Sequence, residues 1–135
     1  MKSTEPVQIV LEFVKRINGH DVEGICGLMT ADHVFVDGLG NKVTGAHAMR
    51  SGWATYFSWF PDYAVSVETL LGDQDIVLLT GTASGTYASG GKLPREKHWQ
   101  VPAAWKGVVR DGKIAEWHVY ADNQPARKIM GWKDP

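Results

Sequence analysis

The spacing of apolar residues in this chain changes once, at Pro61-Asp62, and that change limits the fold more than any other feature. Before it, apart from the short stretch HVFVD, apolar residues recur every three or four positions; after it, as far as Asn123, they alternate. From Glu5 to Ile17 they fall at Val7, Ile9, Val10, Phe13, Val14 and Ile17, which predicts an amphipathic helix. Thr4 can cap it, and Pro6 stands in the first turn, where a missing N–H does no harm. Asn18-Gly19 ends that helix, and Asp21 caps a shorter one expected to run through Met29. HVFVD, residues 33–37, reads as a strand turned by GLGN. A third helix, Ala46 to Phe60, presents Met49, Trp53, Tyr56, Phe57 and Phe60 at helical spacing.

Beyond Pro61-Asp62 the pattern predicts strands. Tyr63 to Leu71 is the first, with a turn at Gly72-Asp73, and Ile76 to Tyr87 returns. After SGGKLP, His98 to Arg110 and Lys113 to Asn123 flank Asp111-Gly112, a favoured hairpin turn. A short segment through Trp132, helical in outline, closes the chain. Helices followed by strands predict an α+β fold, with helices on one face of a curved antiparallel sheet. A curled sheet that helices do not fill leaves a cavity suited to a small molecule.

The bulk properties narrow the function. At 135 residues the chain forms one domain, residues 1–135, without repeats or linkers. A net charge of −1 and no basic stripe argue against nucleic acid or an anionic membrane. The N-terminus, MKSTEPVQIVLEFVKRI, has polar residues where a signal peptide needs an apolar core, so the expected location is cytoplasmic. The single cysteine, Cys26, excludes an internal disulfide. The five histidines show no metal-ligand spacing, so neither metal nor cofactor is expected.

Several phrases then carry a resemblance. NGHDVEGICGLMTADHVFVDG resembles the opening of ketosteroid isomerases and SnoaL-like polyketide cyclases. FPDY, GT…G in the long strand, and DGKIAEW…YADN are similar to the cyclases. These phrases span nearly the whole chain in order. The chain is thereby identified as a member of the nuclear-transport-factor-like superfamily, as a single SnoaL-like domain. The resemblance implies a cone-shaped, cystatin-like curved sheet with the N-terminal helices on its concave face.

Asp37 shares a face with Phe35 by strand alternation. A carboxylate beside a phenylalanine, facing a cavity, has its charged form disfavoured, which suits a general base. Its position resembles that of the proton-shuttling aspartate of the isomerases. The alternative is a solvated aspartate that starts the turn DGLGN. Ketosteroid isomerases hold the dienolate oxygen with a tyrosine and a protonated aspartic acid. The resembling positions here are Phe13 and Ala104, whose side chains cannot donate. Losing one such donor costs about 3 kcal/mol of transition-state stabilisation, which argues against the same steroid chemistry. An epoxide-hydrolase arrangement of two aspartates and an arginine is also unsupported, because DIVLLTGTASGTY holds no arginine and no internal carboxylate.

In the last strand, alternation places Ala115, Trp117, Val119, Ala121 and Asn123 on the cavity face. Glu116, His118, Tyr120 and Asp122, continuing from Ile114, face solvent or a partner subunit. Asp122 in YADN resembles the catalytic aspartate of the cyclases, and a β-bulge after Tyr120 would turn it inward. Otherwise it is a surface carboxylate at a strand end. His98 and Gln100, taken with Ala104, are expected at the cavity mouth, with an exposed histidine after PREK as the alternative. Trp99 and Trp105 then fall on the opposite face and suit a dimer contact. Trp53 falls where the isomerases place a pocket aromatic, and Tyr56 is a candidate hydrogen-bond donor.

The leading expectation is a cofactor-independent acid/base enzyme acting on a small apolar carbonyl compound by isomerisation, cyclisation or dehydration. Asp37 would be the base and Asp122 or His98 a second acid/base. Phe13, Phe35, Trp53, Tyr56, Gln100, Ala104, Trp117 and Asn123 would contact the substrate. The alternative is a non-catalytic binding or dimerisation domain whose outer sheet face, with His118 and Tyr120, makes a homodimer.

Overall fold

A computed structural model describes residues 5–131; the Thr4 cap and the segment at Trp132 lie outside the described residues. The order is α1 (Glu5–Asn18), α2 (Val22–Gly27), β1 (Met29–Val36), β2 (Lys42–Thr44), α3 (Ala46–Trp59), β3 (Ala64–Asp73), β4 (Ile76–Thr86), β5 (His98–Arg110), β6 (Lys113–Ala121) and α4 (Gln124–Ile129). One six-stranded sheet runs β2-β1-β6-β5-β4-β3, curved and unclosed. Its neighbours are antiparallel except β1 and β6, which pair in parallel. The α+β class and the helices on the concave face match the sequence expectation.

Hydrophobic burial fixes α1. Its 14 residues are marginal as an isolated helix. Val10, Phe13, Val14 and Ile17 are buried against the sheet, each contributing about 1.5–3 kcal/mol. At its last residue, the Asn18 side chain accepts from the Val65 N–H at 2.7 Å and donates to the Val65 carbonyl at 2.9 Å. Edge strand β3 is thereby supplied with a substitute ladder partner. Asp21 caps α2 by accepting from the Gly24 N–H.

Several element boundaries differ from expectation. α2 stops at Gly27 rather than Met29, because Met29 pairs with Ile114 and begins β1. β1 therefore starts earlier than residue 33 and ends at Val36, leaving Asp37 in the turn. β2 was not foreseen: three exposed residues carry no alternation. The β3–β4 turn lies at Gln74-Asp75, since Gly72 and Asp73 are still paired with Val77 and Ile76.

Two bulges set the inward residues. On β6 the register shifts so that Val109 faces Ile114 while Val108 faces Glu116, leaving Ala115 extra. Ile114 is consequently buried, not on the outer face with Glu116 and His118 as uninterrupted alternation implied. On β3 the ladder slips between Val67 and Thr69.

His33 is fully buried at the β1–β6 junction, where its Nδ1 lies 2.8 Å from the Ile114 carbonyl. A carbonyl only accepts, so Nδ1 carries the proton. Burial pushes the imidazole below its ordinary value of 6.5, against the opposing Ile114 bond and the charges of Glu116 and Asp32. Between that lowered value and 6.5 the unfolded chain binds a proton that the native chain does not. Stability is therefore insensitive to this group above 6.5 and falls as the pH drops toward the lowered value. Urea unfolding at pH 7 and pH 5 should show a smaller acid loss for His33→Asn, whose amide can still donate to Ile114. Equal losses in both proteins would refute the assignment.

Candidate active site

Between α3 and the concave sheet lies a cavity of about 380 Å³. Aromatic rings and aliphatic side chains form most of its walls. Phe35 and Trp53 meet at 6.5 Å, Trp53 and Tyr56 at 6.3 Å, and Tyr56 and Tyr63 at 4.9 Å between centroids. Trp99, Trp105 and Trp117 close the sheet side. The hollow that the sequence implied is present and not plugged by these rings.

Asp37 lies at the mouth with Phe35, as alternation predicted, and it also starts the turn. One carboxylate oxygen accepts from the Leu39 and Asn41 N–H groups at 2.9 Å each, and the other from Asn41 Nδ2 at 3.2 Å. A carboxylate offers about four lone-pair sites, so three bonds leave room for one more partner. The next residue must be glycine here. A Cβ on Gly38 would stand 2.7 Å from the Ala121 carbonyl and 3.3 Å from Asn123 Nδ2. That close approach brings the Asp37 turn against the end of β6 and places Asn123 in the same rim.

Trp53, Tyr56, Phe35, Trp117 and Asn123 line the cavity as expected. Others do not. Phe13 is wholly buried beneath it, edge-on to Trp117 at 4.9 Å, and belongs to the core. β5 has the opposite phase to that assigned from sequence. Trp99, Val101, Ala103, Trp105 and Val109 are buried, while His98 and Gln100 are exposed and Ala104 is half-buried on the convex side. The signal was available, because every second residue from Trp99 to Val109 is apolar or glycine. Trp99 and Trp105 are thus cavity walls, not dimer contacts. The position facing the cavity side is Ala103, which, like Ala104, has no donor in its side chain.

His98 instead sits in a cluster on the outer face. Thr86 donates its hydroxyl to Asp62 at 2.6 Å, so at 2.9 Å it accepts from His98 Nδ1. Asp122 is exposed and outside the apolar cavity, and its carboxylate accepts from the Gln124 N–H. No bulge turns it inward, since Tyr120 and Ala121 keep regular pairing with Ala104 and Ala103. Asp122 lines a second, more polar depression with Leu39, Gln124 and Arg127, which shares Gly38, Ala121 and Asn123 with the main cavity.

Tyr63 is a cavity residue that the sequence pattern did not single out. It opens the alternation Tyr63, Val65, Val67 and so points inward with Val65. Burial pushes both cavity phenols above their ordinary value, and for Tyr56 the neighbouring Tyr63 adds to the effect. Both therefore remain neutral donors across the physiological range.

The SnoaL-like domain family matches this chain over residues 10–117. The chain belongs to the SnoaL-like domain family. Comparison with curated proteins gives no match. Among solved structures, the SnoaL-like chain is similar to an assigned SnoaL-like polyketide cyclase from Jannaschia sp. CCS1, with a TM-score of 0.82 at 20% identity. That likeness covers 98% of this chain and 96% of the other. It is also similar to an epoxide hydrolase of the LEH-like type from M. tuberculosis, with a TM-score of 0.79 at 17% identity over 96% and 91% of the two chains. A protein of ketosteroid isomerase-like fold from Catenulispora acidiphila, solved with trimethylamine, gives 0.78 at 18% identity over 93% and 94%. At these identities the likeness shows the fold, which is nuclear-transport-factor-like. Among the described residues, no helix of this SnoaL-like domain is long and apolar enough to cross a membrane, and no histidine, cysteine or carboxylate group of three clusters to hold a metal.

Proposed function

We propose that this protein is a small-molecule acid/base enzyme acting on an apolar carbonyl compound held in the aromatic cavity. The observation that carries this reading is the cavity's composition. Among the described lining residues, Asp37 is the one carboxylate in walls otherwise built of aromatic, aliphatic and hydrogen-bond-donating groups. A C–H bond adjacent to the carbonyl breaks, its proton goes to the Asp37 carboxylate, and the electron pair moves onto the carbonyl oxygen. Return of the proton to a different carbon gives isomerisation; attack by the carbanion on a second carbonyl opens its π bond and gives cyclisation, the new alkoxide taking the proton back from Asp37. Phe35, Trp53 and Trp117 give the inner part of the cavity apolar walls, which strengthens the interactions made by a carbonyl oxygen held there. The test is deuterium uptake by a bicyclic ring ketone such as 1-tetralone in heavy water, followed by NMR. Exchange above background is expected with the protein; its absence in the presence of bound ketone would refute catalysis. The three turn bonds on Asp37 favour the second reading in that event, a ligand-binding domain without chemistry.

We further infer a homodimer through the convex face. Ladder register aligns Ile76, Val108 and Glu116 in one row, Leu78, Lys106 and His118 in the next, and Thr80, Ala104 and Tyr120 in a third. Leu78 and Tyr120 are about half exposed, at 48% and 53%. Lys106 and Glu116 carry opposite charges beside these apolar groups, so a twofold axis would let the patch complement itself. Sedimentation equilibrium should give twice the 14.9 kDa chain mass, and Leu78→Glu should return the monomer. A monomeric wild-type protein would exclude this interface.

A further inference from the structure

Phe13 and the β5 alanines cannot hold an oxyanion, so a carbonyl compound in this cavity needs donors from another wall. The wall formed by α3 and the start of β3 supplies them. Among the described residues, neither the Tyr56 nor the Tyr63 hydroxyl has a hydrogen-bond partner in the protein, and both residues line the cavity. A phenol hydroxyl in a cavity wall that has no protein acceptor keeps its proton available for a ligand. Trp53 and Trp99 line the same cavity with their rings, while their indole N–H groups are buried in the protein without an acceptor. Two phenol donors without protein acceptors thus stand together in the wall of one aromatic hollow.

The pair is also held in place. The Tyr63 carbonyl is 2.8 Å from His20 Nε2, so this ring nitrogen donates to it. The His20 ring stacks on Phe57 at 4.1 Å and 7°. Two residues on, Asn18 clamps Val65. Tyr63 therefore starts its strand from a fixed backbone, and its ring meets Tyr56 nearly perpendicularly, at 85°. Preorganised donors of this kind need no rearrangement when charge develops on a ligand oxygen.

We propose that Tyr56 and Tyr63 form the donor site for the oxygen of the bound carbonyl compound, replacing from the α3–β3 wall the donors that α1 and β5 lack. The proposal rests on the acid/base reading above and adds the direction of the substrate. The oxygen points inward to the tyrosines and the reacting C–H outward to Asp37. Phe35, Trp53 and Tyr56 follow one another between the rim and the donor pair. Because the reacting C–H is adjacent to the carbonyl, the same end of the ligand meets both groups, and its ring body lies against Phe35 and Trp53. During proton abstraction the electron pair released from C–H is carried to the oxygen, and both phenols donate to it without losing their protons.

The experiment uses 2-naphthol, whose oxygen can take the enolate's place, and naphthalene, which has the same rings without it. The wild-type protein should prefer 2-naphthol by about tenfold in Kd, the scale of one good hydrogen bond to a partly charged oxygen. Tyr63→Phe and Tyr56→Phe should each reduce that preference several-fold, and the double variant should abolish it. Naphthalene affinity should stay unchanged in all three, which also reports that the cavity has folded. A preference for 2-naphthol that survives in the double variant overturns the proposal. Asp37→Asn should keep the preference. If ketone exchange is absent yet the preference depends on the tyrosines, the donor site stands and the enzyme reading fails. If exchange depends on Asp37 while the preference ignores the tyrosines, the enzyme reading stands and this inference fails.

Discussion

Gly81→Ala is expected to destabilise the protein by about 3 kcal/mol, at the upper end of the cost of overpacking. A Cβ at this position would stand 1.8 Å from the Ser66 carbonyl oxygen and 3.1 Å from the Val67 Cα. Both obstacles are backbone, so no side-chain rotation relieves the clash. The cause is the β3 irregularity: Val67 pairs with Gly81, but Thr69 already pairs with Thr80, and the extra residue drives the β3 backbone down onto Gly81. Relief requires the strand to slip, and a slip of one residue would turn Val65 away from the cavity and expose it. Urea unfolding should show a lower midpoint with an unchanged slope. Gly27→Ala is the matched control. A Cβ there would meet nothing within 4 Å and its φ is not left-handed, so the change should be neutral or stabilising by up to about 1 kcal/mol. Equal stability of the two variants would show that the β3 backbone does not press on Gly81 in solution.

How much of this was legible beforehand depended on which interaction decided each element. The period change at Pro61-Asp62 correctly marked where α3 gives way to the long strands β3–β6, because burial of one helix face and one strand face is a local property of spacing. The aromatic face of α3 and the pairing of Phe35 with Asp37 followed from the same rule. Errors arose where a contact distant in sequence overrode local pattern. Met29 leaves α2 because Ile114 is waiting across the sheet, and Ala115 bulges because β5 and β6 differ in length there. The misplaced phase of β5 has another origin. Fitting Ala104 to the resemblance outweighed a run of alternate apolar residues that, weighed alone, puts Trp99 and Trp105 inward. Tyr63 opens the β3 alternation, and alternation by itself does not say which of the two faces looks into the cavity. Asp122 could not have been placed from sequence, since its orientation turns on whether β6 stays regular beyond Tyr120, and it does.

Asp37→Asn should lower the rate of ketone deuterium exchange by roughly 10²–10⁴-fold, the usual contribution of a positioned general base, while leaving the fold nearly intact. The expected separation comes from the double use of this side chain. Asn keeps one oxygen in place to accept from the Leu39 and Asn41 N–H groups, the two bonds that shape the turn. Its new NH2 would face Asn41 Nδ2, donor against donor, but Asn41 can rotate its amide to present oxygen instead. The turn should then lose less than about 1 kcal/mol, because the site is exposed and water replaces what is lost. What Asn cannot do is take up a proton. Asp37→Ala removes the base and both backbone acceptor bonds together, so it should show the same loss of exchange with an added fall in melting temperature. The comparison distinguishes a base from a turn former. If Asp37→Asn exchanges the ketone as fast as the wild type while Asp37→Ala fails only through lost stability, the carboxylate serves the turn alone and the proton must go elsewhere.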